Sequence, residues 1–190
     1  MKDTNDFLLT YDVTVGQARQ WIREKDPHAK THLISLIRHR FNRRYVAHLL
    51  AIDSGFLKMA GACLMIETLE SFWQGKRNTD GLGKQMFVAF FHREKLLFPH
   101  FDGIAVDFYR HIRCGILHQA ETTNAWRIVR KGDLLDIDNR AINAKKFVVA
   151  LKGALHNYIK SLQEHDFNSR IWKNALLKIK DVCDNCEIRP

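Results

Sequence analysis

Apolar residues recur at steps of three and four along almost the whole chain, which is the spacing of one face of an α-helix. The stripe in the second quarter comprises Leu33, Ile34, Ile37, Phe41, Tyr45, Leu49 and Ile52. A second broad apolar face runs from Gly55 to Gln74, between Ser54 as a cap and Gly75 as a stop. Only three prolines in 190 residues interrupt such patterns. The sequence therefore predicts an all-α fold, a helical bundle.

One segment departs from the helical spacing. Residues 126–137 contain two short runs of strand-forming residues on either side of a Lys131-Gly-Asp133 turn. This pattern predicts a small β-hairpin inserted into the bundle. A central helix is predicted before it, ending at about Gln119, and a long helix capped by Asn143 is predicted after it. We expect one domain over residues 1–190, with its helical core at about 30–166.

The charge of the chain is strongly positive, at +9 with histidine neutral. Between Arg19 and His48 there are eight lysines and arginines against two acids. Such a segment is compatible with a solvated basic helix face, with nucleic-acid contact, or with an acidic membrane or protein partner. The candidates for nucleic-acid contact in this segment are Arg38, Arg40, Arg43 and Arg44.

Neither targeting signals nor cofactor motifs stand out. The first residues lack the apolar run of a signal peptide, and no stretch approaches the roughly 20 apolar residues of a membrane span. We therefore expect a cytoplasmic protein without membrane contact. The four cysteines do not form a secreted disulfide framework. Cys183-x-x-Cys186 is half of a zinc site without a second pair, so no metal or cofactor is assigned.

Arg113 and His118 lie near the polar end of the apolar segment Phe108–Gln119. An arginine can hold a phosphate bidentately, and a histidine can exchange a proton near pH 7. Two other pairs share this spacing, Arg23 with His28 and Arg43 with His48. Of the three pairs, only Arg113 with His118 lies at the end of an apolar helix beside a glycine. Because five helical positions span about 140°, the arginine must wrap toward the histidine, or the two must meet across a dimer axis. The alternative is a capping histidine and a surface arginine.

From about Arg43 to Leu162, the chain resembles the HEPN (higher eukaryotes and prokaryotes nucleotide-binding) family. These all-helical bundles carry an arginine and a histidine four to six residues apart near the end of a core helix. The residues that carry the resemblance are Arg113-Cys-Gly-Ile-Leu-His118 and the helix Gly55–Phe72. Many members are metal-independent ribonucleases of toxin–antitoxin and phage-defence systems, active as dimers. The resemblance thus implies RNA as substrate, a homodimer, an antitoxin or defence partner, and Arg113 and His118 as catalytic residues.

Residues around the motif are assigned supporting roles, namely Glu67, Glu70, Arg110, His111 and Cys114. The two glutamates resemble acids that orient such an arginine, and ordinary helix-surface charges are the alternative. The family often has a polar residue directly after the arginine, where this chain has Cys114. A cysteine nucleophile with a histidine base is conceivable on this helix face, but no oxyanion-hole turn accompanies it.

The predicted hairpin offers a second surface for RNA. Trp126, Arg127 and Arg130 could stack on and pair with a single strand, or they could cover the open end of the bundle. Three functions are therefore considered. The first is a metal-independent endoribonuclease, the second a non-catalytic HEPN-like interaction module, and the third a nucleic-acid-binding regulator. Cleavage through the 2′-hydroxyl would resist EDTA and leave 2′,3′-cyclic phosphate ends.

Overall fold

The computed structural model of the chain describes residues 3–187. The chain is mostly helical and carries one small sheet, which confirms the predicted helical class. The helices are α1 (Val15–Glu24), α2 (Pro27–Phe41), α3 (Ala47–Ala51), α4 (Gly55–Gln74), α5 (Gly83–Arg93), α6 (Ala105–Asp107), α7 (Cys114–Gln119), α8 (Ala144–Glu164) and α9 (Arg170–Asp184). The strands are β1 (Arg127–Val129), β2 (Leu135–Asp136) and β3 (Ala141–Asn143). Within the described residues, no helix has both the length and the apolarity to cross a bilayer.

Local sequence signals explain where several helices begin. Thr14 and Gln17 form a capping box at the start of α1, in which each side chain bonds the other's backbone N–H. Asp26 caps α2, and Pro27 fills the first helical position, where no backbone N–H is needed. The side-chain oxygen of Asn143 accepts two backbone N–H bonds at the start of α8, each 3.1 Å long. The cap at Asn143 is the one that the sequence predicts.

Two helical segments contain a wider π-helical turn. Asn42–Val46 joins α2 to α3, and Phe108–Arg113 joins α6 to α7. A π turn shifts the side chains beyond it around the helix axis, and such turns occur frequently at functional sites. Arg113 is the last residue of the second turn, so it lies where the helix changes its winding.

The strand pairing differs from the predicted hairpin over residues 126–137. β1 and β2 lie close to the expected positions, but they are not neighbours in the sheet. β1 pairs in parallel with β3, and β2 pairs with β3 in the antiparallel sense. The hairpin prediction is wrong because β3, which is fully buried, supplies the hydrogen-bonding partner for both outer strands. Three residues of β3 are too few to show a period of two in the sequence.

The described part of the chain forms two compact units. The terminal unit consists of the described parts of Met1–Arg43 and Asn157–Pro190 together with Ser71–Asn78. Its core includes Leu33, Phe41, Phe72, Tyr158 and Trp172, all nearly or fully buried. The expectation of a single domain stays a prediction.

The central unit consists of Arg44–Glu70 and Thr79–His156. Its core is an aromatic cluster in which rings pack edge-to-face or stacked at centroid distances of 5.0–6.4 Å. The cluster comprises Phe87, Phe90, Phe91, Phe98, Phe101, Phe108 and Phe147. Phe108, which begins the π turn before α7, stacks on Phe147 of α8 at 5.5 Å. This contact fixes the base of the helix that carries Arg113 and His118.

Candidate active site at the end of helix α7

The side chains of Arg113 and His118 meet within one chain. Nη1 of Arg113 lies 3.3 Å from Nε2 of His118, a contact in which the guanidinium donates to the unprotonated ring nitrogen. The arginine therefore wraps around the helix, one of the two arrangements that the sequence leaves open. His118 is exposed, whereas the side chain of Arg113 keeps only 17% of its accessible surface. The pair thus joins an anchored cation to a solvent-reachable imidazole.

Glu67 of α4 holds the inner edge of the guanidinium. Nε of Arg113 donates to a carboxylate oxygen of Glu67 at 2.7 Å, and the glutamate side chain is 14% exposed. Burial lowers the pKa of Arg113, but the hydrogen bond and the charge of Glu67 outweigh burial and raise it above its ordinary value. The arginine is therefore charged at every physiological pH. Because Glu67 accepts the bond from Nε, Nη1 remains available for the contact with His118.

Tyr109 supports the same guanidinium from one helical turn earlier. Its ring centroid lies 5.5 Å from the guanidinium carbon of Arg113, within the range of a cation–π interaction. The ring rests against Gly83, where a Cβ atom would come within 2.8 Å of two tyrosine atoms. Burial, followed by a hydrogen bond with Cys114, raises the pKa of the Tyr109 hydroxyl. Tyr109 is not among the predicted site residues. Its spacing could have indicated the contact, because an aromatic residue four positions before an arginine on one helix lies next to it.

The loop after α7 folds back onto the helix between the two site residues. Ala120 ends α7 in the left-handed conformation, with φ 57°, and Glu121 then donates its N–H to the carbonyl of Gly115 at 3.4 Å. A Cβ at position 115 would overlap the carbonyl oxygen of Glu121. Glycine therefore permits a close approach that brings the loop beside His118.

The other predicted supporting residues take different positions. Nδ1 of His111 lies 2.8 Å from Oγ1 of Thr123, and the Thr123 N–H donates to the carbonyl of His111, so His111 ties the loop to the helix. Cys114 is half-buried and contacts both Tyr109 and Arg113. Arg110 is exposed. Of these three residues, only Cys114 contacts the guanidinium of Arg113.

Glu70 binds the guanidinium of Arg93. Both of its carboxylate oxygens bind the guanidinium of Arg93 on α5, one of them at 3.1 Å from Nη1. The Glu70 side chain is 1% exposed, and Glu94 accepts a third bond, from Nε of Arg93 at 3.4 Å. The two oxygens and two Nη groups form a bidentate ion pair, the geometry in which arginine binds a carboxylate most strongly.

The predicted RNA-contacting residues near the sheet are largely engaged with the protein. Trp126 is 5% exposed, so its ring is not presented for stacking. Arg127 donates to the carbonyl of Asn139 at 3.0 Å, and Arg130 pairs with Asp53 at 3.1 Å. Both arginines remain within reach of solvent, but they do not form an aromatic platform with Trp126.

The predicted basic residues of α2 and of the π turn that follows it are more accessible. Arg38, Arg43 and Arg44 are exposed, and Arg43 lies over the ring of Tyr11 at 5.7 Å. Arg40 is half-buried and donates to the carbonyl of Leu9 at 2.9 Å. Three of the four predicted arginines are thus presented to solvent, and Arg40 has a structural contact.

The cysteine pair near the C-terminus does not gather further ligands. Cys183 is buried, and burial raises its pKa to about 11, whereas Cys186 is half-buried. Across residues 3–187, no group of three histidine, cysteine, aspartate or glutamate side chains is arranged to hold a metal ion.

Comparison of the chain with protein-family models, with curated proteins and with solved structures gave no match.

Proposed function

We propose that this protein is a metal-independent endoribonuclease of the HEPN type, with Arg113 and His118 as its catalytic pair. The observation that carries the proposal is the 3.3 Å contact between the arginine Nη1 and the histidine Nε2. The 2.7 Å hydrogen bond that Nε donates to Glu67 adds to it, because it holds the guanidinium whose Nη1 contacts an exposed imidazole. This arrangement provides a phosphate-binding cation beside a proton-transfer group.

In the proposed reaction, the RNA 2′-oxygen attacks the adjacent phosphorus and the bond from phosphorus to the 5′-oxygen breaks. His118 accepts the proton of the 2′-hydroxyl through Nε2, or in the other role it donates a proton to the leaving 5′-oxygen. The Nη groups of Arg113 stabilise the negative charge that develops on the phosphorane oxygens. The products are a 2′,3′-cyclic phosphate and a 5′-hydroxyl end, and no oxidant or metal is consumed.

One histidine performs one of the two proton transfers at a time. A homodimer that brings two copies of the α7 site to one groove would supply the second imidazole and a second guanidinium. We therefore include a homodimer in the proposal, together with an antitoxin or defence protein that restrains the nuclease in the cytoplasm. The exposed arginines Arg38, Arg43 and Arg44 would add affinity for the RNA backbone by releasing counterions.

The test uses purified protein and single-stranded RNA in the presence of EDTA. We expect cleavage products that end in 2′,3′-cyclic phosphate, with activity lost in His118→Ala and in Arg113→Ala. The matched control is His92→Ala, because His92 is an exposed histidine at the end of another helix of the central unit, α5. Absence of cleavage by both the monomeric and the dimeric protein, or equal cleavage by His118→Ala, would refute the proposal.

A second candidate is a non-catalytic interaction module in which Arg113 has a structural role. The observation in its favour is that the guanidinium is mostly buried and is held by Glu67 and Tyr109. Under this alternative, Arg113→Ala lowers the melting temperature, whereas His118→Ala, at an exposed position, changes neither stability nor cellular phenotype. Growth inhibition on overexpression that His118→Ala abolishes would favour the nuclease.

A further inference from the structure

Two histidines on one face of α2 bring their ring nitrogens together. His28 and His32 are one helical turn apart, and their Nε2 atoms lie 3.1 Å from each other. Their ring centroids are farther apart, at 4.3 Å, so the rings converge toward the Nε2 ends. His28 is exposed and His32 is half-buried. The 3.1 Å contact is also a hydrogen-bonding distance, at which one ring donates its N–H to the other, and solvent reaches the pair through the exposed His28.

Trp21 of α1 fixes the orientation of the second ring. It stacks on His32 with a centroid distance of 4.6 Å and an angle of 10° between the ring planes. Stacking restricts the rotation of the imidazole about its side-chain bonds while leaving Nε2 at the ring edge. A donor atom that is held before a ligand arrives loses less conformational entropy on binding.

Two charged neighbours of the pair, Lys30 and Asp26, are engaged elsewhere. Lys30, between the two histidines in sequence, directs its Nζ to the carbonyls of Gln163 and His165, at 3.0 and 2.7 Å. Asp26, just before the helix, accepts the backbone N–H of Ala29 at 2.7 Å as an N-cap. The nitrogens of His28 and His32 are thus the donor atoms that converge here.

The separation of these nitrogens matches the bite of a metal chelate. Two imidazole nitrogens that each lie about 2.05 Å from an ion, with an angle of about 100° between the bonds, are about 3.1 Å apart. We propose that His28 and His32 form a bidentate site for a divalent transition ion such as Zn²⁺, Ni²⁺ or Cu²⁺. Imidazole ligands suit these ions, whereas Mg²⁺ and Ca²⁺ require oxygen ligands.

The site supplies two protein ligands. Residues 3–187 offer no third histidine, cysteine or carboxylate at this position, so water or a donor from a bound molecule completes the coordination. This open coordination is the feature of metal sites that exchange ligands rather than of closed structural sites. The proposal is independent of the α7 site, since EDTA-resistant RNA cleavage makes no use of a metal.

The experiment is a titration of the purified protein with Ni²⁺, in which calorimetry and tryptophan fluorescence monitor the binding. We expect saturable binding of one ion per chain, quenching of part of the emission because Trp21 stacks on a ligand, and reversal by EDTA. Removal of a residue that only hydrogen-bonds to a metal ligand weakens metal binding by about 10–100-fold. Loss of one of the two ligands themselves should weaken Ni²⁺ binding by at least as much. His28→Gln and His32→Gln should both show this loss.

The controls separate this site from other donors in the chain. His92→Gln removes an exposed histidine elsewhere and should bind Ni²⁺ as the parent protein does. Cys186→Ser tests the cysteine pair near the C-terminus in the same way. Trp21→Phe should abolish the fluorescence change while calorimetric binding persists. The proposal is overturned if Ni²⁺ does not bind saturably, if both histidine variants bind normally, or if binding is lost in Cys186→Ser instead.

Discussion

The backbone carbonyl oxygen of Glu121 occupies the space that a Cβ atom of residue 115 would need, two positions beyond the catalytic candidate Arg113. This close approach exists because the chain reverses at Ala120 and returns over the last turn of α7. A side chain at position 115 and the observed path of the loop are mutually exclusive. The glycine between the arginine and the histidine thus determines where the loop beside His118 lies.

Gly115→Ala should destabilise the protein and displace this loop. The added methyl group meets backbone, which cannot rotate away as a side chain would, so we expect a loss of about 1–3 kcal/mol in the free energy of unfolding. Urea denaturation measures the loss. Gly103→Ala is the matched control, because the nearest atom to its added Cβ is 3.6 Å away, an ordinary van der Waals distance. Equal stabilities of the two variants would contradict the close approach at Gly115.

Glu67→Ala should destabilise the protein more than Glu67→Gln does. Alanine leaves the mostly buried guanidinium of Arg113 without its acceptor, which costs about 1–3 kcal/mol, whereas glutamine keeps an oxygen in place. Thermal unfolding of both variants gives the comparison. The control is Asp53→Asn at the exposed pair with Arg130, where the side chains are 78% and 57% exposed. There we expect a change within about 0.5 kcal/mol, and a similar change at Glu67 would mean that its ion pair adds little.

The helices were predictable from the sequence because their signals are local. Thr14, Ser54 and Asn143 are polar residues placed just before apolar periodic segments, and all three accept backbone N–H bonds at helix starts. The sheet was not predictable in the same way. Its pairing depends on β3, which lies between β1 and β2 in the sheet although it follows both of them in the sequence. The parallel pairing of β1 with β3 joins segments on either side of β2, and a short sequence window does not reveal such a pairing.

The candidate site was predictable in its residue types but not in its partners. Glu67 and Glu70 are the same residue type three positions apart on α4, yet one binds Arg113 and the other binds Arg93. The choice depends on which helix packs against each part of α4, which is a tertiary property. The burial of Trp126 is also a tertiary property. A tryptophan close to two arginines has the same sequence pattern whether its ring faces RNA or the core.

The four cysteines should differ in their reactivity toward an alkylating reagent. Burial raises the pKa of Cys63 far above its ordinary value and that of Cys183 to about 11, so both are protonated and shielded at pH 8. Cys114 and Cys186 are half-buried and should react first. Mass spectrometry after brief treatment with iodoacetamide gives the order. Early modification of Cys63 would show that the interior of α4 is accessible.

Lys58 is a buried cation at the end of a short helix. Its Nζ donates to the carbonyl of Leu49 and, at 3.4 Å, to that of Leu50 in the last turn of α3. Only 4% of the residue is accessible. Burial lowers the pKa of Lys58 below its ordinary value of 10.5, the charges of Lys145 and Arg130 lower it further, and Asp53 partly opposes them. The charged form is therefore less favourable in the folded protein than in the unfolded chain.

This lowered pKa predicts a rise in stability with pH. Between the folded pKa of Lys58 and 10.5, the unfolded chain binds more protons than the folded protein, so the free energy of unfolding increases as pH rises. The neutral amine still donates hydrogen bonds to both carbonyls. Because other groups titrate in the same range, the measurement is the difference in unfolding free energy between the parent protein and Lys58→Met, from urea denaturation at several pH values. The parent protein should gain stability relative to the variant across this window, and a constant or falling difference would contradict the burial of the charge.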